Sequence, residues 1–134
     1  MLSRFALAAI ALLLLTTACE EHVFTEGELQ AQRKFKAVAP GTPEASARAA
    51  LGPPVAELRW DPGRNAYAYT DANGSRTYFD PRKDAARSGL PAEFRFFPKK
   101  MLATKVLIYS SGTVFGYLAI DDANKVSSVE VHIS

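Results

Sequence analysis

Hydrophobic and polar positions along this chain follow three successive rhythms. Residues 5–15 form an unbroken apolar run of 11, preceded by Arg4 and closed by the small residues Thr16, Thr17 and Ala18 and then Cys19. A membrane-spanning helix needs ~20 apolar residues, so the run is too short for a permanent span. The order of charge, apolar segment and small residues predicts an export signal that is cleaved. A helical rhythm comes next. Thr25-Glu26-Gly27-Glu28 has the spacing of a capping box and predicts a helix over 26–36, although its apolar positions Leu29, Ala31 and Phe35 are sparse and Gly27 weakens the first turn, so the pattern equally suits a flexible segment. The second helical signal, over 45–51, is sharper. Thr42-Pro43 offers an N-cap followed by proline at the first helical position, and Gly52-Pro53-Pro54 stops the helix. Ala47, Ala50 and Leu51 then share one face built of small side chains.

From Val55 onward the period is two. Glu57-Leu58-Arg59-Trp60 alternates polar with apolar, and Asp61 to Asn65 is a turn cluster. Residues 66–79 predict a hairpin closed by Asn73-Gly74 in a type I′ turn. Its Tyr67, Tyr69 and Tyr78 suit either cross-strand core pairs or a stacking surface for sugar or peptide. Residues 80–100 carry Pro81, Pro91 and Pro98 and predict a long loop with a short strand at 93–97. There Arg82, Lys83, Arg87, Arg95, Lys99 and Lys100 stand beside Phe94, Phe96 and Phe97. That mixture fits a solvated loop with its rings turned inward, or a surface touching anionic headgroups or a protein. Three β-rich runs, at 105–109, 113–121 and 125–133, are separated by short turns and predict an antiparallel meander. In the middle run Val114, Leu118 and Ile120 fall on one side and Phe115, Tyr117 and Ala119 on the other, so both of its faces should be covered.

The cysteine changes the meaning of the first rhythm. Small residues before Cys19 and Glu20-Glu21 directly after it make the segment resemble a bacterial lipoprotein signal with its lipobox. The resemblance implies that residues 1–18 are removed, and that Cys19 begins the mature chain carrying a thioether-linked diacylglycerol and an amide-linked acyl chain such as palmitate. A multi-chain anchor holds essentially permanently, because each buried CH₂ contributes ~0.8 kcal/mol. A plain secreted protein cut elsewhere is the other reading. Cys19 is the only cysteine, so the domain has no disulfide and depends on its core. Loss of 18 residues leaves 134 − 18 = 116, enough for one small domain, and loss of Arg4 leaves 15 Lys+Arg against 14 Asp+Glu. So even a balance gives no footing for nucleic acid.

A second resemblance rests on the run from Gly41 through Leu51-Gly52-Pro53-Pro54, and on Ile120-Asp121-Asp122-Ala123-Asn124-Lys125-Val126 near the C-terminus. The chain is similar in these to the SmpA/OmlA (BamE-like) outer-membrane lipoproteins, small proteins with two helices on a three-stranded antiparallel sheet. The resemblance implies an α+β fold with one or two short N-terminal helices packed on an antiparallel sheet that ends in a three-stranded meander. The stretch between Trp60 and Thr104 is longer than that family needs, so an extra hairpin or loop is expected there. The organisation expected is a signal over 1–18, a lipidated tether over 19–39 that is helical or flexible, and the α+β domain over 40–134.

Chemistry is sparse. The two histidines, His22 and His132, stand far apart in the sequence, and no Gly-x-Ser-x-Gly elbow or glycine-rich phosphate loop is present. Asp121 and Asp122 are neighbours on opposite faces of a strand end and suit a turn better than an acid/base pair. We therefore expect no enzyme, no catalytic residue, no metal and no cofactor, with Cys19 the single site residue, for lipidation. The function expected is that of a membrane-anchored cell-envelope lipoprotein acting as a structural or adaptor protein, in outer-membrane protein assembly or envelope integrity. It would face the periplasm, preferentially from the outer membrane, and meet an envelope protein partner. The alternative is a tethered periplasmic binding module of the inhibitor type, since one fold serves many functions.

Overall fold

The computed structural model describes residues 23–83, 87 and 89–134. Cys19 and His22 lie outside them. The elements are α1 (Glu26–Lys36), α2 (Glu44–Leu51), β1 (Ala56–Asp61), β2 (Ala66–Thr70), β3 (Arg76–Phe79), α3 (Ala92–Arg95), β4 (Lys105–Ser111), β5 (Val114–Ile120) and β6 (Val126–Ile133). All six strands join one antiparallel sheet in the order β3-β2-β1-β4-β5-β6. The class is α+β, but the sheet has six strands where the resemblance implies three. The physical reason is the pairing of β1 with β4, from Ala56 opposite Ile108 to Arg59 opposite Lys105. That contact fuses the 56–79 strands to the C-terminal meander across a long sequence gap.

α1 forms with both arms of its capping box in place. The Thr25 amide donates to Glu28 Oε1 at 2.9 Å and the Glu28 amide donates to Thr25 Oγ1 at 3.1 Å. Its buried Ala31 and Phe35 then pack on the sheet, with Val38, Ala47 of α2, Leu107, Tyr109, Val114, Leu118, Ile120 and Val126 in one cluster. Phe35 fits because β5 carries Gly116 beneath it: a Cβ there would stand 2.7 Å from the ring's Cγ. Gly116→Ala is therefore expected to cost about 1–3 kcal/mol by overpacking. Combination with Phe35→Leu should return part of that loss in urea unfolding, whereas strictly additive losses would show that the close approach is not what Gly116 provides.

Two local expectations are corrected. Thr42 does not cap α2: the N-cap is Pro43, with no side-chain bond, and the Thr42 hydroxyl donates to the Ala39 carbonyl at 2.7 Å. The backbone at Thr42 is already committed, since Val126 N–H donates to its carbonyl and Gly41 N–H donates to the Val126 carbonyl, stitching this loop to β6. The hairpin turn is not type I′, because only Gly74 of the Asn-Gly pair takes a positive φ, at 79°. Asp71 organises it instead, its carboxylate accepting from the amides of Asn73 and Ser75 and the Thr77 hydroxyl. Gly52, in contrast, ends α2 at φ 82° as its position predicts.

On the other face of the sheet pack the described residues of the connection between β3 and β4, from Leu90 to Ala103. The strand expected at 93–97 is the helical turn α3. A strand would send Phe94 and Phe97 to opposite faces, whereas a helical turn puts positions i and i+3 on one side. Both rings enter the second cluster with Leu58, Tyr67, Phe79, Met101, Val106, Ile108, Phe115 and Tyr117. The Tyr67 hydroxyl donates to the Met101 carbonyl at 2.9 Å and accepts from the Ala103 amide at 2.8 Å, while Tyr117 donates to the Glu93 carbonyl at 2.6 Å. Arg87 closes the loop by donating to the carbonyls of Phe97, at 2.8 Å, Arg95 and Pro81. No described helix is long and apolar enough to cross a membrane.

Candidate functional site

The two helices cover the sheet over β4, β5 and β6 and stop there. Register places Glu57, Arg59 and Asp61 of β1, Ala66, Ala68 and Thr70 of β2, and Arg76 and Tyr78 of β3 on the same side as the helices, and among the described residues no helix lies over them. The edge of the helix layer and this bare half-sheet enclose an open groove of about 660 Å³, walled by Arg48, Pro54 and Val55 and floored by Ala68 and Thr70.

An ionic network builds the groove's inner wall. Glu44, in the first turn of α2, accepts from Lys105 Nζ at 2.8 Å and from Arg48 Nε at 2.9 Å. Arg48 reaches on to Glu57 at 2.8 Å, and Glu57 also takes Arg59 at 3.0 Å and stands 3.5 Å from Lys105 Nζ. Lys105 is only 9% exposed, and its ammonium is paired with these carboxylates rather than with water. Burial pushes the Glu44 carboxyl up, but hydrogen bonds from Lys105 and Arg48 outweigh it and hold the group below the usual carboxylate range. Glu57 behaves alike, with burial opposed by the bond from Arg48 and the positive charges of Arg48, Lys105 and Arg59. The Arg48 guanidinium is in turn held more firmly charged by its bond to Glu57, against burial.

Beyond Arg76, which borders the groove, an arginine and tyrosine ladder continues along β3. Arg64, from the β1–β2 turn, lies 4.7 Å from the centre of the exposed Tyr78 ring, and Arg76 lies 5.8 Å from it. Arg76 also approaches Asp61 to 4.0 Å. Asp61 stands diagonally across β2, so the Arg76 side chain runs over the Ala68 position, which explains why a small residue on a bare sheet face is nearly buried.

The groups singled out from the sequence are dispersed around this groove. Tyr67 and Tyr69 turn to the opposite face, Tyr67 edge-on to Trp60 at 5.1 Å and Tyr69 against Phe94 at 4.6 Å, so only Tyr78 is presented outward with the arginines. In the 80–104 connection Phe94 and Phe97 are core residues, Phe96 stacks on His132 at 4.2 Å, Arg82 pairs with Asp80 at 2.9 Å, and Lys83, Arg95 and Lys100 are exposed. Asp121 accepts from the amides of Ala123 and Lys125 within its turn, and Asp122 accepts from the Thr104 hydroxyl. Among the described residues no three His, Cys, Asp or Glu side chains gather to hold a metal. Glu44, Arg48, Glu57 and Lys105 escaped notice because each is an ordinary polar position of its own element. The available signal was polar Glu57, Arg59 and Asp61 at one strand parity facing small Ala66 and Ala68. Comparison with family models, curated proteins and solved structures finds no match.

Proposed function

We propose that this chain is a lipoprotein of the bacterial cell envelope, held at a membrane through lipid on Cys19 and facing the periplasm, that acts as a structural or adaptor protein. The observation that carries the reading is Cys19 itself, placed after an apolar run and small residues and followed by two glutamates. The position of the first described residues supports it. α1 starts beside the β4–β5 turn, where the Thr113 hydroxyl donates to Glu28 at 2.6 Å, and the chain's last amide, Ser134 N–H, donates to the Thr113 carbonyl. Cys19 is four residues before Val23, a link of at most ~14 Å when extended. A lipid there holds this end of the sheet close to the bilayer, and Thr70, Arg76 and Glu57 of the groove lie at the same end.

Two helices over the β4-β5-β6 meander support the SmpA/OmlA-like layout, with the 56–79 strands as the extension, and hence a role near outer-membrane protein assembly or envelope integrity. The open groove also suits a tethered binding module of the inhibitor type. A crosslinked pull-down separates the two: barrel-assembly components support the adaptor reading, and one soluble enzyme supports the other. Labelled palmitate is expected in the wild-type chain and absent from Cys19→Ala, which should leave the membrane fraction. Label that persists in Cys19→Ala sinks the lipoprotein reading.

A further inference from the structure

The bare half of the sheet has more cations than carboxylates. Arg59, Arg64 and Arg76 stand there against Glu57 and Asp61, three to two, and Glu57 is shared with Arg48 and Lys105 of the helix-covered half. Glu57 alone serves Arg48, Arg59 and Lys105, and Asp61 is only at the edge of contact with Arg76. Arg59 and Arg76 keep two-thirds of their side-chain surface in water, at 67% and 66%, so most of their donors remain available. The positive groups do not converge on one point, as they would around a single small anion. They are spread along β2, from Arg76 beside Thr70 to Arg64 near Ala66, over a strand length of ~13 Å.

From this placement we propose that the open face over β1, β2 and β3 docks an acidic, extended peptide segment of a partner protein. The proposal rests on the adaptor reading and names the chemistry of its partner. Carboxylates of such a segment take the remaining guanidinium donors of Arg59 and Arg76 in charge-assisted, bidentate bonds, lying over the Arg76 side chain that covers Ala68. Tyr78, already flanked by two guanidiniums, supplies a rigid apolar surface at the rim. The neighbouring Glu57 and Asp61 reject a basic segment, so the same groups give selectivity as well as attraction.

The test uses the full chain in non-ionic detergent and a fluorescein-labelled decapeptide of alternating Glu and Ser, with its Lys-Ser counterpart. Saturable binding of the acidic peptide alone is expected, weakened by added salt. Arg59→Glu/Arg76→Glu should weaken it about tenfold or more, since two charge-assisted contacts become repulsive. Arg59→Gln/Arg76→Gln should give a smaller loss at an unchanged melting temperature, which guards against misfolding. Lys34→Glu/Lys100→Glu makes the same charge change away from the face and should leave binding within about twofold, as expected of distant charges screened by salt. Equal weakening by both charge-reversed pairs, or no saturable binding, overturns the proposal. So does binding of solubilised anionic phospholipid, but not peptide, through Arg59 and Arg76. Palmitate incorporation without peptide binding would remove this inference and leave the lipoprotein reading standing.

Discussion

Phe97→Ala is expected to lower stability by about 3–5 kcal/mol, the range for truncating a fully buried aromatic ring. Phe97 is 1% exposed and meets three rings, Tyr67 at 5.6 Å and Phe79 and Tyr117 at 5.3 Å each, the last two edge-on. It is the point at which the 80–104 connection is inserted into the sheet. Alanine there leaves a cavity under three large side chains, two of which, Tyr67 and Tyr117, are tied by their own hydrogen bonds, which limits collapse of the site. A domain of this size has ~5–15 kcal/mol in total, so the variant should unfold at much lower urea with little change in slope. Phe96→Ala is the matched control: Phe96 is half-buried and stacks on His132 at the sheet margin, and should cost about 1 kcal/mol. Equal losses for the two would mean that the connection only rests on the sheet.

Lys105→Met is expected to cost about 3 kcal/mol, the lower end of the range for breaking a buried pair. Methionine keeps the apolar stem but leaves Glu44 and Glu57 with one cation fewer in a part-buried setting. Glu44→Gln added to Lys105→Met removes the stranded charge, so the double variant should lose less than the sum of the singles; additive losses would refute the coupling. The network also sets an acid limb. Both carboxyls have folded-state pKa values below their unfolded value of about 4.3, so the folded state binds fewer protons and the network's stabilisation is present above that pH. It is lost as pH falls through the folded values. Urea midpoints of the wild type should therefore drop below about pH 4.3, and the drop should be shallower in Lys105→Met. An identical acid limb in both proteins would place the responsible carboxylates elsewhere.

The meander was legible because its alternation carries burial directly: β5 has Val114, Leu118 and Ile120 in one cluster and Phe115, Tyr117 and Ala119 in the other. The capping box and Gly52 were legible for a similar reason, since each concerns residues within one turn of each other. The 93–97 strand was misread because three phenylalanines with a polar neighbour fit either period, and only the position of the sheet beneath them selects the helical turn. The Thr42 cap failed because β6 competes for the same loop. The groove was invisible for a different reason. Its lining comes from α2, the 54–55 link, β1, β2 and β3, and its opening exists because two short helices cannot cover six strands.

By itself the sequence determined what is local: the apolar run ending before Cys19, the capped start of α1, the end of α2, the strand faces and the lack of a second cysteine for an internal disulfide. These follow from covalent geometry, periodicity and turn chemistry within a few residues. Only the tertiary structure decided that 56–79 extends the C-terminal sheet, that Phe35 needs Gly116, which of the two readings of the 80–100 loop holds, with Phe94 and Phe97 turned into the core, and that among the described residues an arginine-rich half-sheet is left without a helix over it. Those outcomes depend on which surfaces meet across tens of residues, where the gain from burial is set by complementary shape and charge and not by either segment alone.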